Sequence, residues 1–153
     1  MKNLIIIVLD GARTDFVKNS SVFKNLKTNS VFSHNCITYA PHTIASMHAI
    51  FSGTYGSRNG TNSYWSTYEF KKNQFKTLTE YLKNNNFTTV ADLHSDIVIP
   101  KQGFEKFLIH DEHNDDIRSR HLELIENISS DSEKKISFIC IIAIYIQKFL
   151  ILF

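Results

Sequence analysis

Cysteine is scarce in this chain: 153 residues carry only Cys36 and Cys140, far apart and outside any metal-type spacing. That excludes a disulfide framework and a zinc knuckle, and the two read as buried thiols. An excess of one charge is lacking too. With 17 Lys and Arg against 15 Asp and Glu the formal charge is +2, too small for a basic field. The aromatics do not interleave with lysines either, so nucleic acid is set aside as a partner. No small-residue cleavage site follows the apolar run at the N-terminus, which argues against a signal peptide and for a cytoplasmic chain. Hydrophobic residues are plentiful, at 42%. That suits one globular domain with a real core and excludes global disorder.

The pattern along the chain alternates strand and helix. Residues 4–9 form a continuous, β-branched-rich apolar run, the signature of a parallel strand buried on both faces. Gly11 lets the chain turn, and residues 12–28 have helical spacings broken at Asn19-Ser20-Ser21. A short strand is expected over 30–39, a helix over 42–51 with Ile44, Met47 and Phe51 on one face, and a glycine-rich loop over 52–62. A helix over 77–83 precedes a strand over 87–93, and Gly103-Phe104 with Phe107 suggests an apolar loop closing on the sheet. Residues 115–128 read as a polar helix with Ile117, Leu122, Leu124 and Ile125 inward. The order predicts an α/β fold, a mostly parallel sheet flanked by helices.

In such sheets ligands gather at the carboxyl ends of the strands, where loops and helix N-termini converge. Asp10 is the first polar residue after the first strand; from position alone it reads either as a helix cap or as a metal ligand. Thr43, after His42 at a helix start, reads either as a plain capping hydroxyl or as a group poised where an anion is favoured. Together, a carboxylate and a hydroxyl at two strand-to-helix junctions can share a divalent cation that turns the hydroxyl into a nucleophile. His94 and Asp96 follow a strand, which makes them candidates for the edge of such a site, with a plain loop position as the other reading. His48 reads as a packing residue, Arg13 and Asp15 as an ion pair, and residues 110–116 as a solvated loop. Tyr64 and Trp65 read as core, with a substrate entrance as the other reading.

Two blocks make the sequence recognisable. NLIIIVLDGARTDFV resembles the opening of the sulfatase branch of the alkaline phosphatase superfamily, where a strand ends in a metal-binding aspartate within a D-x-x-R-x-D pattern. YAPHTIASMHAIFSGTYGSRNG resembles the second family block, with Thr43 on the nucleophile, Ser46 on the serine that follows, and Ser52-Gly53, Tyr55 and Gly60 on the loop. FKTLTEYLKNNNFTTVADLHSD and KQGFEKFLIHDE are similar to the helix, strand and G-F loop beyond, so the resemblance runs over residues 3–112. It implies an alkaline-phosphatase-like fold and a metal-dependent hydrolase or transferase acting on phosphate or sulfate esters. The substrate is then a small-molecule, lipid or glycan ester, and the cofactor a divalent cation (zinc, calcium, manganese or magnesium). Asp10 and Thr43 are the implied metal ligands, Thr43 the catalytic residue, and Ser46 and His94 the substrate-binding candidates.

The departures narrow this. Sulfatases proper oxidise a Cys or Ser nucleophile to formylglycine, an aldehyde that Thr43 cannot give, which favours phosphoesters or phosphodiesters. Gly11 replaces a second metal-binding aspartate, Gly56 the loop proline, Asn59 the loop histidine and Met47 an arginine. The family's further Asp-His pair and histidines lie beyond residue 153, so residues 1–135 read as the N-terminal part of the domain, inactive alone. Residues 136–153 form an apolar tail, either a buried strand and helix or a membrane anchor on a non-catalytic module. Back-translated and read two bases on, ISFICIIAIYIQK permits the strand and histidine the family carries next, so a frameshift at Lys134-Lys135 is a further expectation.

Overall fold

The computed structural model describes residues 3–33, 35–111, 113–129 and 137–144. Strand β1 (Leu4–Asp10) is followed by short helices α1 (Thr14–Val17) and α2 (Ser21–Thr28), then by α3 (Thr43–Ser52), the single-turn α4 (Gly56–Asn59) and a 3-10 turn over Tyr64–Glu69. Helix α5 (Leu78–Asn84), β2 (Thr88–Leu93), β3 (Lys106–Ile109), α6 (Ile117–Ser129) and β4 (Ser137–Ile144) complete the described elements. All pairings are parallel and the strand order is β1-β4-β2-β3.

Side-chain alternation places the core. Ile6 and Val8 of β1 and Ala91 and Leu93 of β2 meet Met47 and Phe51 of α3 and Leu78 and Leu82 of α5 on one face. Asp10 shares the parity of Ile6 and Val8, so the last residue of β1 points towards α3. Asp92 alternates with Ala91 and Leu93 and points to the opposite face, where Arg120 and His121 of α6 meet it. Helix α5 is fixed at its start by a capping box: Thr77 Oγ1 accepts from the Glu80 amide, and Glu80 Oε2 accepts from the Thr77 amide.

Several expectations need correction. Residues 30–33 and 35–39 form no strand; Val31 and Ile37 are almost fully exposed, and no neighbouring strand supplies the ladder a strand requires. Cys36 is exposed rather than buried, while Cys140 lies in β4, paired with Ile6 and Ala91. The glycine-rich loop contains the turn of α4. Phe107 belongs to a strand rather than a loop, although Phe104 does pack on Phe51 and Phe107. Leu122 is exposed, because the inward stripe of α6 runs through Ile117, Arg120, His121, Leu124 and Ile125. Strand β1 was expected to be buried on both faces; it lies at one edge of the described sheet, and Ile5, Ile7 and Leu9 are exposed on a face that no described element covers.

The apolar tail is a sheet strand over residues 137–144, paired on both sides, and β4 there is not the helix an anchor needs. No helix among the described residues is long and apolar enough to cross a membrane. The rest of the tail lies outside the described residues, as does Lys134-Lys135.

Candidate active site

Gly11, at φ 72°, turns the chain sharply away from β1 and leaves Asp10 at the carboxyl edge of the sheet. Helix α3 begins at the same edge. His42 is its N-cap in extended conformation, its Nδ1 accepting from the Ala45 amide at 3.4 Å, and Thr43 is the first helical residue. The Thr43 hydroxyl donates to Asp10 Oδ2 at 2.9 Å, both groups being partly buried. Residues 33 positions apart are thus joined at a strand end and a helix start. The ten-residue α3 directs its positive dipole end at that point.

The other residues of the second block hold the loops around this pair. The Ser46 hydroxyl meets Thr38 Oγ1 at 2.7 Å, donates to the Ala40 carbonyl at 3.1 Å and accepts from the Ala40 amide at 3.3 Å, so it ties down the segment that enters α3. Asn59, fully buried, donates to Ser52 Oγ and the Thr54 carbonyl and accepts from the Thr61 amide. It closes the loop on itself. His94 is half-buried just past β2, with Nδ1 unpartnered, and no contact places it with Thr43. Asp96 is exposed and paired with Lys101 at 2.7 Å. Arg13 and Asp15 form a bidentate, exposed pair; the Arg13 guanidinium holds the Asp15 carboxyl below its usual range. His48 is buried, its Nδ1 at 2.9 Å from the Ile44 carbonyl and its ring against Phe70. Burial lowers its pKa, and the carbonyl opposes the shift.

Tyr64 and Trp65 are not core: Trp65 is 82% exposed. The two rings meet edge to face at 4.9 Å, and Tyr64 in turn meets His42 at 5.8 Å. A second pair, Tyr39 stacked on Tyr55 at 5.1 Å, is also exposed. Aromatic rings therefore run from solvent to the residue preceding Thr43.

Sequence reasoning missed a second cluster. Asp92 is fully buried; its Oδ2 accepts from Arg120 Nε at 2.7 Å and its Oδ1 lies 3.1 Å from His110 Nδ1. His121 Nε2 is 3.5 Å from Asp92 Oδ2, without a hydrogen bond. Burial penalises the Asp92 charge, but the hydrogen bonds from His110 and Arg120 outweigh it and hold the carboxyl below its usual range. His110 was read as part of a solvated loop; it is buried because the end of β3 delivers it beneath α6. The signal was present in TTVADL, where an aspartate interrupts a buried strand that has no other use for a charge.

Comparisons with known proteins bear on the fold and the family. The solved structure of BT4656 in complex with its substrate D-glucosamine-2-N,6-O-disulfate is similar over 92% of this chain, with a TM-score of 0.67 and 17% identity. The match covers 34% of that protein, so this chain spans about a third of its length. At that identity the likeness establishes the fold, an α/β architecture of the alkaline-phosphatase-like kind. No curated protein sequence matches the chain. The sulfatase family model, however, matches residues 2–133, which takes in the Asp10 strand, the Thr43 helix and the Asp92 cluster alike, and the chain belongs to the sulfatase family.

Proposed function

We propose that this chain supplies the nucleophile side of an ester-cleaving site, with Thr43 Oγ attacking the phosphorus, or the sulfur, of an ester held at the N-terminus of α3. The observation that carries this is the 2.9 Å hydrogen bond from Thr43 Oγ1 to Asp10 Oδ2. A carboxylate that accepts the hydroxyl's hydrogen turns the oxygen lone pairs outward and is placed to take the proton as the new bond forms. The helix dipole favours the anionic group being transferred. Departure of the alcohol leaves a Thr43 ester, which water, or an acceptor hydroxyl in a transferase, then cleaves.

Threonine favours phosphoesters or phosphodiesters over sulfate esters, since it lacks the route to formylglycine. The aromatic rings from Trp65 to His42 favour a ring-bearing small-molecule or glycan ester, in keeping with the sugar bound by the structural neighbour. Ser46 serves the site by fixing the entry to α3. His94, with its unpartnered nitrogen, is the remaining substrate-side candidate.

A divalent cation is the cofactor of this family type, and it lowers the pKa of a coordinated hydroxyl. Asp10 and Thr43 are hard oxygen donors of the right kind. Two donors fall short of the four that zinc takes or the six to eight of calcium. Asp10 and Thr43 by themselves therefore hold such an ion weakly, and we assign this chain by itself little or no turnover.

The test compares bis(p-nitrophenyl) phosphate, p-nitrophenyl phosphate and p-nitrophenyl sulfate on this chain alone and on the chain joined to the remainder of a sulfatase-family domain. The expected result is phosphoester turnover by the joined form only. Preferential sulfate turnover overturns the substrate assignment, and full activity of this chain alone overturns the incomplete site.

A further inference from the structure

We infer that Asp92, His110 and His121 form a second metal site, for a zinc-type divalent cation, on the face of the sheet opposite Asp10 and Thr43. One donor atom from each of the three residues lies within 4.8 Å of the others. The two imidazole-to-carboxylate distances are 3.1 Å, to Oδ1, and 3.5 Å, to Oδ2. A tetrahedral ion with bonds of about 2.0–2.1 Å separates its ligands by about 3.4 Å, close to both imidazole-to-carboxylate distances. His110 and Asp92 have fully buried side chains and that of His121 is 15% exposed.

The His121 ring is the second sign. Its Nε2, the atom that faces Asp92, is buried with no hydrogen-bond partner, an arrangement that protein interiors avoid and that a cation shared with Asp92 and His110 Nδ1 relieves. Two imidazoles and one carboxylate select a zinc-like ion over magnesium or calcium, and three protein ligands leave a fourth position for solvent. The donors come from β2, the residue after β3, and α6, so the ion clamps the helix to the sheet.

Arg120 sets the affinity. Its Nε occupies Asp92 Oδ2 at 2.7 Å and already offsets the carboxylate charge. The cation binds beside this guanidinium and is repelled by it; Asp115 Oδ2, 3.6 Å from Arg120 Nη1, draws part of that charge away. Neutralising Arg120 therefore tightens the site.

The experiment titrates zinc chloride into the tag-free, EDTA-stripped chain, with calorimetry for stoichiometry, melting temperature for linkage and the cobalt(II) absorption spectrum for geometry. One zinc per chain, a raised melting temperature and a tetrahedral cobalt spectrum are expected. His121→Ala, at the accessible side of the cluster, loses binding while circular dichroism shows its fold retained. Asp10→Asn keeps binding, and Arg120→Gln binds about tenfold more tightly, the size of a removed neighbouring unit charge in a solvated setting. The inference is overturned by the absence of saturable binding, by equal binding in His121→Ala, by loss in Asp10→Asn, or by unchanged affinity in Arg120→Gln.

Discussion

Replacing Asp92 by asparagine keeps the shape of the side chain and removes its charge. Two contacts depend on that charge: Arg120 Nε at 2.7 Å and His110 Nδ1 at 3.1 Å, both onto a carboxylate with no exposed surface. Breaking a buried pair by removing one partner costs about 3–5 kcal/mol, because the other charge is stranded. The Arg120 side chain is 33% exposed and recovers water, so the expected loss falls to about 3 kcal/mol. With a urea slope of about 2 kcal/mol per molar, the unfolding midpoint drops by about 1.5 M. Urea unfolding followed by far-UV circular dichroism, in EDTA so that no cation contributes, measures this directly. The double substitution Asp92→Asn with Arg120→Met removes the stranded charge and recovers at least about 1 kcal/mol. A loss below about 0.5 kcal/mol for Asp92→Asn, or a double variant no better than the single, refutes the reasoning.

His48 gives a pH dependence. Burial keeps it neutral in the fold by lowering its pKa, against the opposing Ile44 carbonyl, whereas in the unfolded chain it titrates at about 6.5. The unfolded state therefore binds a proton the fold refuses; the His48 contribution is full above about pH 6.5 and declines as pH falls through that value towards the folded pKa. Melting temperatures from pH 8 to pH 5 should fall more steeply in the parent chain than in His48→Gln, and equal slopes contradict the assignment. Gly103, at φ 86°, sits against the backbone of Thr79 and Glu80, so Gly103→Ala should cost about 2 kcal/mol or more; an unchanged melting temperature contradicts it. Trp65 is the sole tryptophan and is 82% exposed, which makes its fluorescence a probe of the aromatic surface. Glucosamine 6-phosphate, a ring-bearing phosphoester, should quench or shift the emission, and an emission indifferent to saturating sugar argues against a ring-bearing substrate.

Local signals were readable where one segment decides its own fate. The run LIIIVLD makes a strand, Thr77 and Glu80 start a helix, and apolar residues three and four apart in TIASMHAIF give α3 its buried face. Asp10 and Thr43 were legible as a pair through position and family resemblance, and the fold brings them to hydrogen-bond distance. What failed to show were features that depend on partners distant in sequence. Whether residues 30–33 and 35–39 pair as a strand depends on docking against a sheet edge distant in sequence, and they pair with none of the described strands. The exposure of Ile5 and Ile7 depends on what covers the sheet, not on their own pattern. His110 and His121 look like surface residues until β3 and α6 carry them to Asp92, 18 and 29 positions from it along the chain. A lone aspartate within a buried strand was the available clue, because a charge at such a position needs a partner.

In the proposed reaction Thr43, held by Asp10, becomes covalently attached to the transferred group. The most direct measurement is peptide mass mapping of the chain joined to the remainder of a sulfatase-family domain, acid-quenched during turnover of an aryl phosphate. A phosphoryl adduct on the peptide containing Thr43, absent from a Thr43→Ala variant that has also lost turnover, is the predicted result. An adduct on another residue, or unchanged turnover by Thr43→Ala, contradicts it.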